Sequence, residues 1–133
     1  MIVLDENLLV LRLDNPIATW YPGRVYYVTD LQPGALIKDE RVPRLLLQCK
    51  GATFVTTNVV DFWRRIPAHA QYGIICLLVT NERLREVPQL LHQLLRRPEF
   101  KTRAARIGKV IRVSQKQIQY YTSRSSSLIT LDW

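Results

Sequence analysis

The feature that most narrows the possible folds is a run of six apolar residues, Ile74–Val79, with no polar residue among them. A membrane-spanning helix needs roughly 20 such residues, so this run reads as a strand. A strand that is apolar without alternation is covered on both faces, which is the usual condition of strands in a parallel sheet. Met1–Leu4 has the same character, and Asp5-Glu6-Asn7 ends it. Arg24–Val28 and Ala52–Thr56 supply two more strands, the first β-branched and aromatic. With Tyr72–Val79 these make four strands, and parallel neighbours among them require crossover connections.

The intervening segments are read as helices and loops. Leu8–Leu13 predicts a short helix stopped by Asp14-Asn15-Pro16. Thr29–Lys38 reads as a loop around Pro33-Gly34. Asp39–Lys50 predicts a helix with Val42, Leu45, Leu46 and Cys49 on one face and Gly51 at its release. Asp61-Phe62-Trp63 opens a helical turn that Pro67 closes. Glu82–Arg97 predicts the longest helix, with Asn81 as its N-cap and Leu84, Val87, Leu91, Leu94 and Leu95 as its buried stripe. After Pro98 the pattern becomes an alternation. Lys109–Val113 and Gln117–Tyr121 predict an antiparallel hairpin around Ser114–Lys116, Ser123–Ser127 a polar linker, and Leu128–Leu131 a last edge strand. The order implies an α/β fold, a three-layer α/β/α arrangement with a mostly parallel central sheet and a C-terminal β-hairpin. The 133 residues suit one domain, with a core over about 1–97 and a hairpin extension over about 107–133.

The net charge of +8 suits a polyanionic partner, whether RNA, DNA or an acidic protein, and its distribution says more than its size. From Arg96 to Arg124 the only acid is Glu99, whereas most acids precede Arg64. Acidic residues close to Met1–Leu4 leave no signal-peptide core, so a cytoplasmic protein with no membrane association is expected. Cys49 and Cys76 sit among apolar neighbours, without a second Cys or a His at zinc-ligand spacing, and read as small buried apolar residues. His69 and His92 read as structural or exposed, and Trp20 and Trp63 as core or rim packing.

In a parallel sheet, functional side chains gather beyond the carboxyl ends of the strands. Asp5 and Glu6 follow the first strand, Asn58 and Asp61 follow the third, and Asp39 and Glu40 open the helix leading into it. Each also has a structural reading. Asp5 and Asp61 can cap helices, and Asp39 and Glu40 suit a helix dipole. Together they form a possible oxygen-only cluster. Such a donor set suits Mg²⁺ or Mn²⁺, which can activate water and stabilise charge on a phosphoryl group.

Three segments carry a resemblance. Met1–Asn7 (Met-Ile-Val-Leu-Asp-Glu-Asn) resembles the "LDEN" start of prokaryotic PIN-like proteins related to toxin–antitoxin ribonucleases. Leu36-Ile37-Lys38-Asp39-Glu40 resembles their acidic helix start, and Thr53–Phe62 their "VT-x-D-x-D-F" segment. The resemblance covers residues 1–97 and, more loosely, the terminal hairpin. It implies metal-dependent cleavage of RNA, with Asp5, Glu40 and Asp61 as catalytic acids. Asp5 would be the central metal ligand, and Glu40 or Asp39 the second. Asn58 stands where the family usually has a third acid, which leaves one charge fewer. Asp61 stands one residue further along than the family's "DF" aspartate. Glu6 would act through its backbone or around the ligands. Arg41, Arg44, Arg64 and Arg65 are the candidate phosphate contacts. The resemblance also implies a small antitoxin covering this face, and a homodimer through the hairpin or the Trp133 end is a further candidate. The alternative is a PIN-like domain that keeps its shape as a nucleic-acid- or protein-binding module. A receiver-like phosphoryl-handling domain also uses strand-end acids, but the usual Lys after a late strand is missing here, where Leu77–Thr80 leads to Asn81.

Overall fold

The computed structural model describes residues 1–34 and 36–133. Ala35, within the segment read as a loop, lies outside the described residues. One seven-stranded mixed sheet organises the chain. Its strands are β1 (Ile2–Leu4), β2 (Val25–Tyr27), β3 (Ala52–Thr56), β4 (Tyr72–Leu77), β5 (Lys109–Val113), β6 (Gln117–Thr122) and β7 (Ser125–Asp132). They lie in the order β2-β1-β3-β4-β5-β6-β7. The first five are parallel, and β5-β6-β7 are antiparallel.

The apolar runs are buried for the expected reason. β1, β3 and β4 are buried at every position, and successive side chains feed two separate cores. Ile2, Leu4, Val55, Ile75, Leu77, Ile111 and Val113 face one core, with Ile17 of α1 (Asp14–Ala18) and Val87, Leu91 and Leu94 of α5 (Val87–Leu95). Val3, Phe54, Ile74, Cys76 and Val110 face the other. There they meet Val28 of α2 (Val28–Leu31), Leu45 and Leu46 of α3 (Val42–Leu47) and Phe62 of α4 (Val59–Phe62).

Several boundaries differ from expectation. The helix expected over Leu8–Leu13 is instead a 3₁₀ turn at Glu6–Leu8, and α1 begins at the Asp14-Asn15-Pro16 expected to stop it. Proline is tolerated there because first-turn N–H groups have no acceptor within the helix. Arg12 turns the chain between the two with φ at +50°. A short helix, α2, starts at Val28 and takes the first residues of Thr29–Lys38, because the Asp30 carboxylate accepts a 2.8 Å bond from the Tyr27 N–H and caps it. Asp39–Lys50 divides into a 3₁₀ turn, Asp39–Arg41, and α3. The long helix expected over Glu82–Arg97 likewise divides into a 3₁₀ stretch, Asn81–Glu86, and α5, with Pro88 in the first turn of α5, and Asn81 lies inside the stretch rather than capping it. The polar segment Ser123–Ser127 is a tight turn followed by the start of β7, which runs eight residues. Cys76 is buried, whereas Cys49 is half-exposed.

Candidate functional site

The strand order places β1 between β2 and β3. The chain therefore leaves β1 to one side and returns on the other, which opens a crevice at the carboxyl ends of β1 and β3. In the parallel register Leu4 stands beside Val55, so Asp5 emerges level with Thr56. The Asp5 N–H is held by the Val55 carbonyl at 2.9 Å. Asp5 is only 8% exposed. Oδ2 accepts a 2.6 Å bond from the Thr56 hydroxyl, and Oδ1 a 2.9 Å bond from the Glu6 N–H. Burial raises the Asp5 pKa above the usual carboxylate value, and the two donors act against that rise.

Thr56 joins the two strand ends. Its Oγ1 also accepts from the Asn58 N–H at 2.9 Å, so backbone, hydroxyl and carboxylate form a short chain from β3 to Asp5. Thr56 was not singled out from sequence. The available signal was a hydroxyl residue at the last position of a buried strand, level with a carboxylate only once the register is known.

Asn58 is the hub of the exposed part. Its side-chain oxygen caps α4 by accepting from the Asp61 N–H at 3.4 Å. Its Nδ2 donates to Asp39 Oδ2 at 3.2 Å and to Asp61 Oδ2 at 2.7 Å. Asp61 is thus a partner of the cap, and Asn58 is the cap. Asp39 is pushed up to about 6, first by burial, then by the charge of Asp5, by hydrogen bonding to and the charge of Asp61, and by the charge of Glu40. The structure therefore brings Asp5, Asp39, Asn58 and Asp61 to one crevice, with Glu40 exposed at its margin. Glu6 is exposed, and its contact with Asp5 is through its backbone.

The donor chemistry, carboxylates and one amide oxygen, fits a hard divalent cation. The spacing is looser than the chemistry: among the described residues no three His, Cys, Asp or Glu side chains are grouped to hold a metal ion. The Asn58 amide, a hydrogen-bond donor to two carboxylates, takes the bridging role that a cation takes between acids.

The four basic candidates do not behave alike. Arg41, Arg44 and Arg65 are exposed and make no ion pair among the described residues. Arg64 is committed to the C-terminal strands. Its Nη1 donates to the Ser126 carbonyl at 3.1 Å, and its guanidinium lies 5.2 Å from the Tyr121 ring centroid. Its backbone N–H donates to the Tyr121 hydroxyl at 3.2 Å, with φ at +62°. Trp63 packs on Tyr121 and Trp20 stacks on His92.

No family model, no curated protein and no solved structure matches the chain.

Proposed function

We propose that the chain is a PIN-like domain of the three-layer α/β/α kind that hydrolyses RNA phosphodiesters with Mg²⁺ or Mn²⁺, in the manner of a toxin held in check by a small antitoxin. One observation carries this reading: Asp5, Asp39 and Asp61 come from three separate segments and face the β1/β3 crevice, where burial first and then the neighbouring acids push Asp39 up to about 6. Folding that places mutually repelling carboxylates together costs stability, and a functional cation relieves it. Asp5, Asp61, Glu40 or Asp39, and the Asn58 carbonyl oxygen would hold the ion. Bound there, it would supply an activated water and neutralise phosphate charge. The residues themselves set the polarity of the crevice. Thr56 orients the Asp5 carboxylate, and the exposed Arg41, Arg44 and Arg65 offer phosphate contacts nearby in the chain.

The test is cleavage of a mixed RNA pool by the purified protein with Mg²⁺ or Mn²⁺, beside Asp5→Asn. Metal-dependent cutting that disappears in the variant supports the assignment; equal cutting by both proteins refutes the site.

A second reading rests on Asn58. Because its amide already joins Asp39 and Asp61, the crevice is partly self-neutralised, and a non-catalytic PIN-like binding module is consistent with it. A module of that kind shows no divalent-dependent rise in melting temperature, which separates the two readings.

A further inference from the structure

The opposite end of the parallel strands gathers the other sign of charge. There α6 (Arg103–Arg106) packs against the amino-terminal parts of β3 and β4. Two glycines let it approach. A Cβ on Gly73 would stand 2.6 Å from the Arg106 carbonyl oxygen, and one on Gly51, where φ is +71°, would stand 2.9 Å from Cδ of Arg103. The close approach buries a guanidinium: Arg106 is 3% exposed. Its Nε donates to Thr53 Oγ1 at 3.1 Å, and its Nη1 to the carbonyls of Phe100 and Lys101 at 2.9 and 3.0 Å.

Every one of those acceptors is neutral. The ion pairs among the described residues are Arg12–Asp14, Arg83–Glu86 and Arg97–Glu99, and none involves Arg106. A buried charge is ordinarily matched by an opposite one, and arginine does not escape by losing its proton. Around it the positive charge grows. A cleft of about 860 Å³ is lined by Arg96, Lys101, Arg103 and Arg106, with no acidic residue in its wall. One side of the cleft is aromatic, formed by Trp20 and His92, whose rings stack at 4.3 Å and 6°.

We infer that this cleft is a binding site for a nucleotide phosphate, the anion that supplies the missing counter-charge, with the base placed against the Trp20–His92 wall. Guanidinium groups match phosphate oxygens in pairs, and a base presents a flat face to an aromatic wall. The site stands apart from the acids. Thr53, which holds Arg106, is three residues before Thr56 on β3, about 10 Å along the strand. It stands whether or not those acids cut RNA.

The test uses the full chain at low salt with three probes: inorganic phosphate, adenosine monophosphate and a single-stranded RNA of about ten nucleotides. Binding is read by calorimetry, and the salt dependence is recorded for the RNA. Saturable binding of the nucleotide or RNA is expected, weakened about 10-fold or more in Lys101→Ala/Arg103→Ala. Both substituted side chains are exposed, so the fold is retained. Asp5→Asn leaves this binding unchanged, which distinguishes it from the acidic crevice. Trp20→Phe weakens the nucleotide and leaves phosphate alone unaffected. RNA binding tighter than the mononucleotide identifies a strand as the ligand, and equal binding identifies a free nucleotide. If no probe saturates, or if the double variant binds like the parent, the inference is overturned. Phosphate binding as tightly as the nucleotide would remove the base from it.

Discussion

Asn58→Asp is the substitution that most directly probes the acidic crevice. It places an acid at the β3 end and removes the amide that donates to Asp39 at 3.2 Å and Asp61 at 2.7 Å. The cap survives, because an aspartate oxygen can still accept from the Asp61 N–H. Hydrogen bonds to charged groups contribute about 1.5–3 kcal/mol each when buried. Asp61 is exposed and Asp39 half-exposed, so roughly 1 kcal/mol for the two together is the appropriate scale after solvent screening. A new charge beside two carboxylates adds about 1 kcal/mol of repulsion per neighbour at water-like screening. The sum is about 3 kcal/mol, or a fall of roughly 10 °C in melting temperature for a chain of this size. The deficit is expected at pH 7.5 in the presence of a chelator. It should shrink at pH 5, where Asp39 is protonated, and reverse in excess Mn²⁺, because four acids then share a cation. Scanning calorimetry of both proteins with chelator and with Mn²⁺ reads all three arms. A variant as stable as the parent in chelator would refute the idea that the amide offsets carboxylate repulsion. A deficit untouched by Mn²⁺ would refute the metal site.

Other perturbations follow from the same geometry. Thr56→Val keeps the shape but removes the donor to the buried Asp5 carboxylate; it should cost about 2 kcal/mol in urea unfolding and raise the Asp5 pKa in a carbon-detected NMR titration. Asp39 is pushed up to about 6 from its ordinary value of 3.8, so the folded state holds the extra proton between those values. Stability from this group is therefore present at acid pH and lost as pH rises through that window, and Asp39→Asn should remove this slope from the melting-temperature profile between about pH 4 and 6. Gly73→Ala forces a Cβ against the Arg106 carbonyl and should cost about 1–3 kcal/mol in the same urea assay; no loss would show that α6 is not tightly seated.

What the chain carried by itself was the arrangement of its sheet-forming segments. Unalternating runs such as Ile74–Val79 must be covered on both faces, and Lys109–Val113 with Gln117–Tyr121 must pair in alternation, so an α/β protein with a C-terminal hairpin was legible from hydrophobic pattern alone. The candidate acids were legible too, because polar residues directly after a buried strand have few places to go. Helix limits were less so. Prolines 16 and 88 act as starts or as breaks depending on which neighbouring N–H groups find acceptors, and that is settled by packing. The bond from Thr56 to Asp5 needed the register of β1 on β3. The bridging role of Asn58 needed the 3₁₀ turn at Asp39 brought against the cap of α4. The buried charge of Arg106 lay beyond any local pattern. An arginine in a short polar segment reads as exposed, and only the approach of α6 over Gly51 and Gly73 removes it from water. Backbone preference and burial are local or periodic quantities that a linear chain displays. The partner of a polar side chain is a long-range contact, and it exists only once the chain has closed on itself.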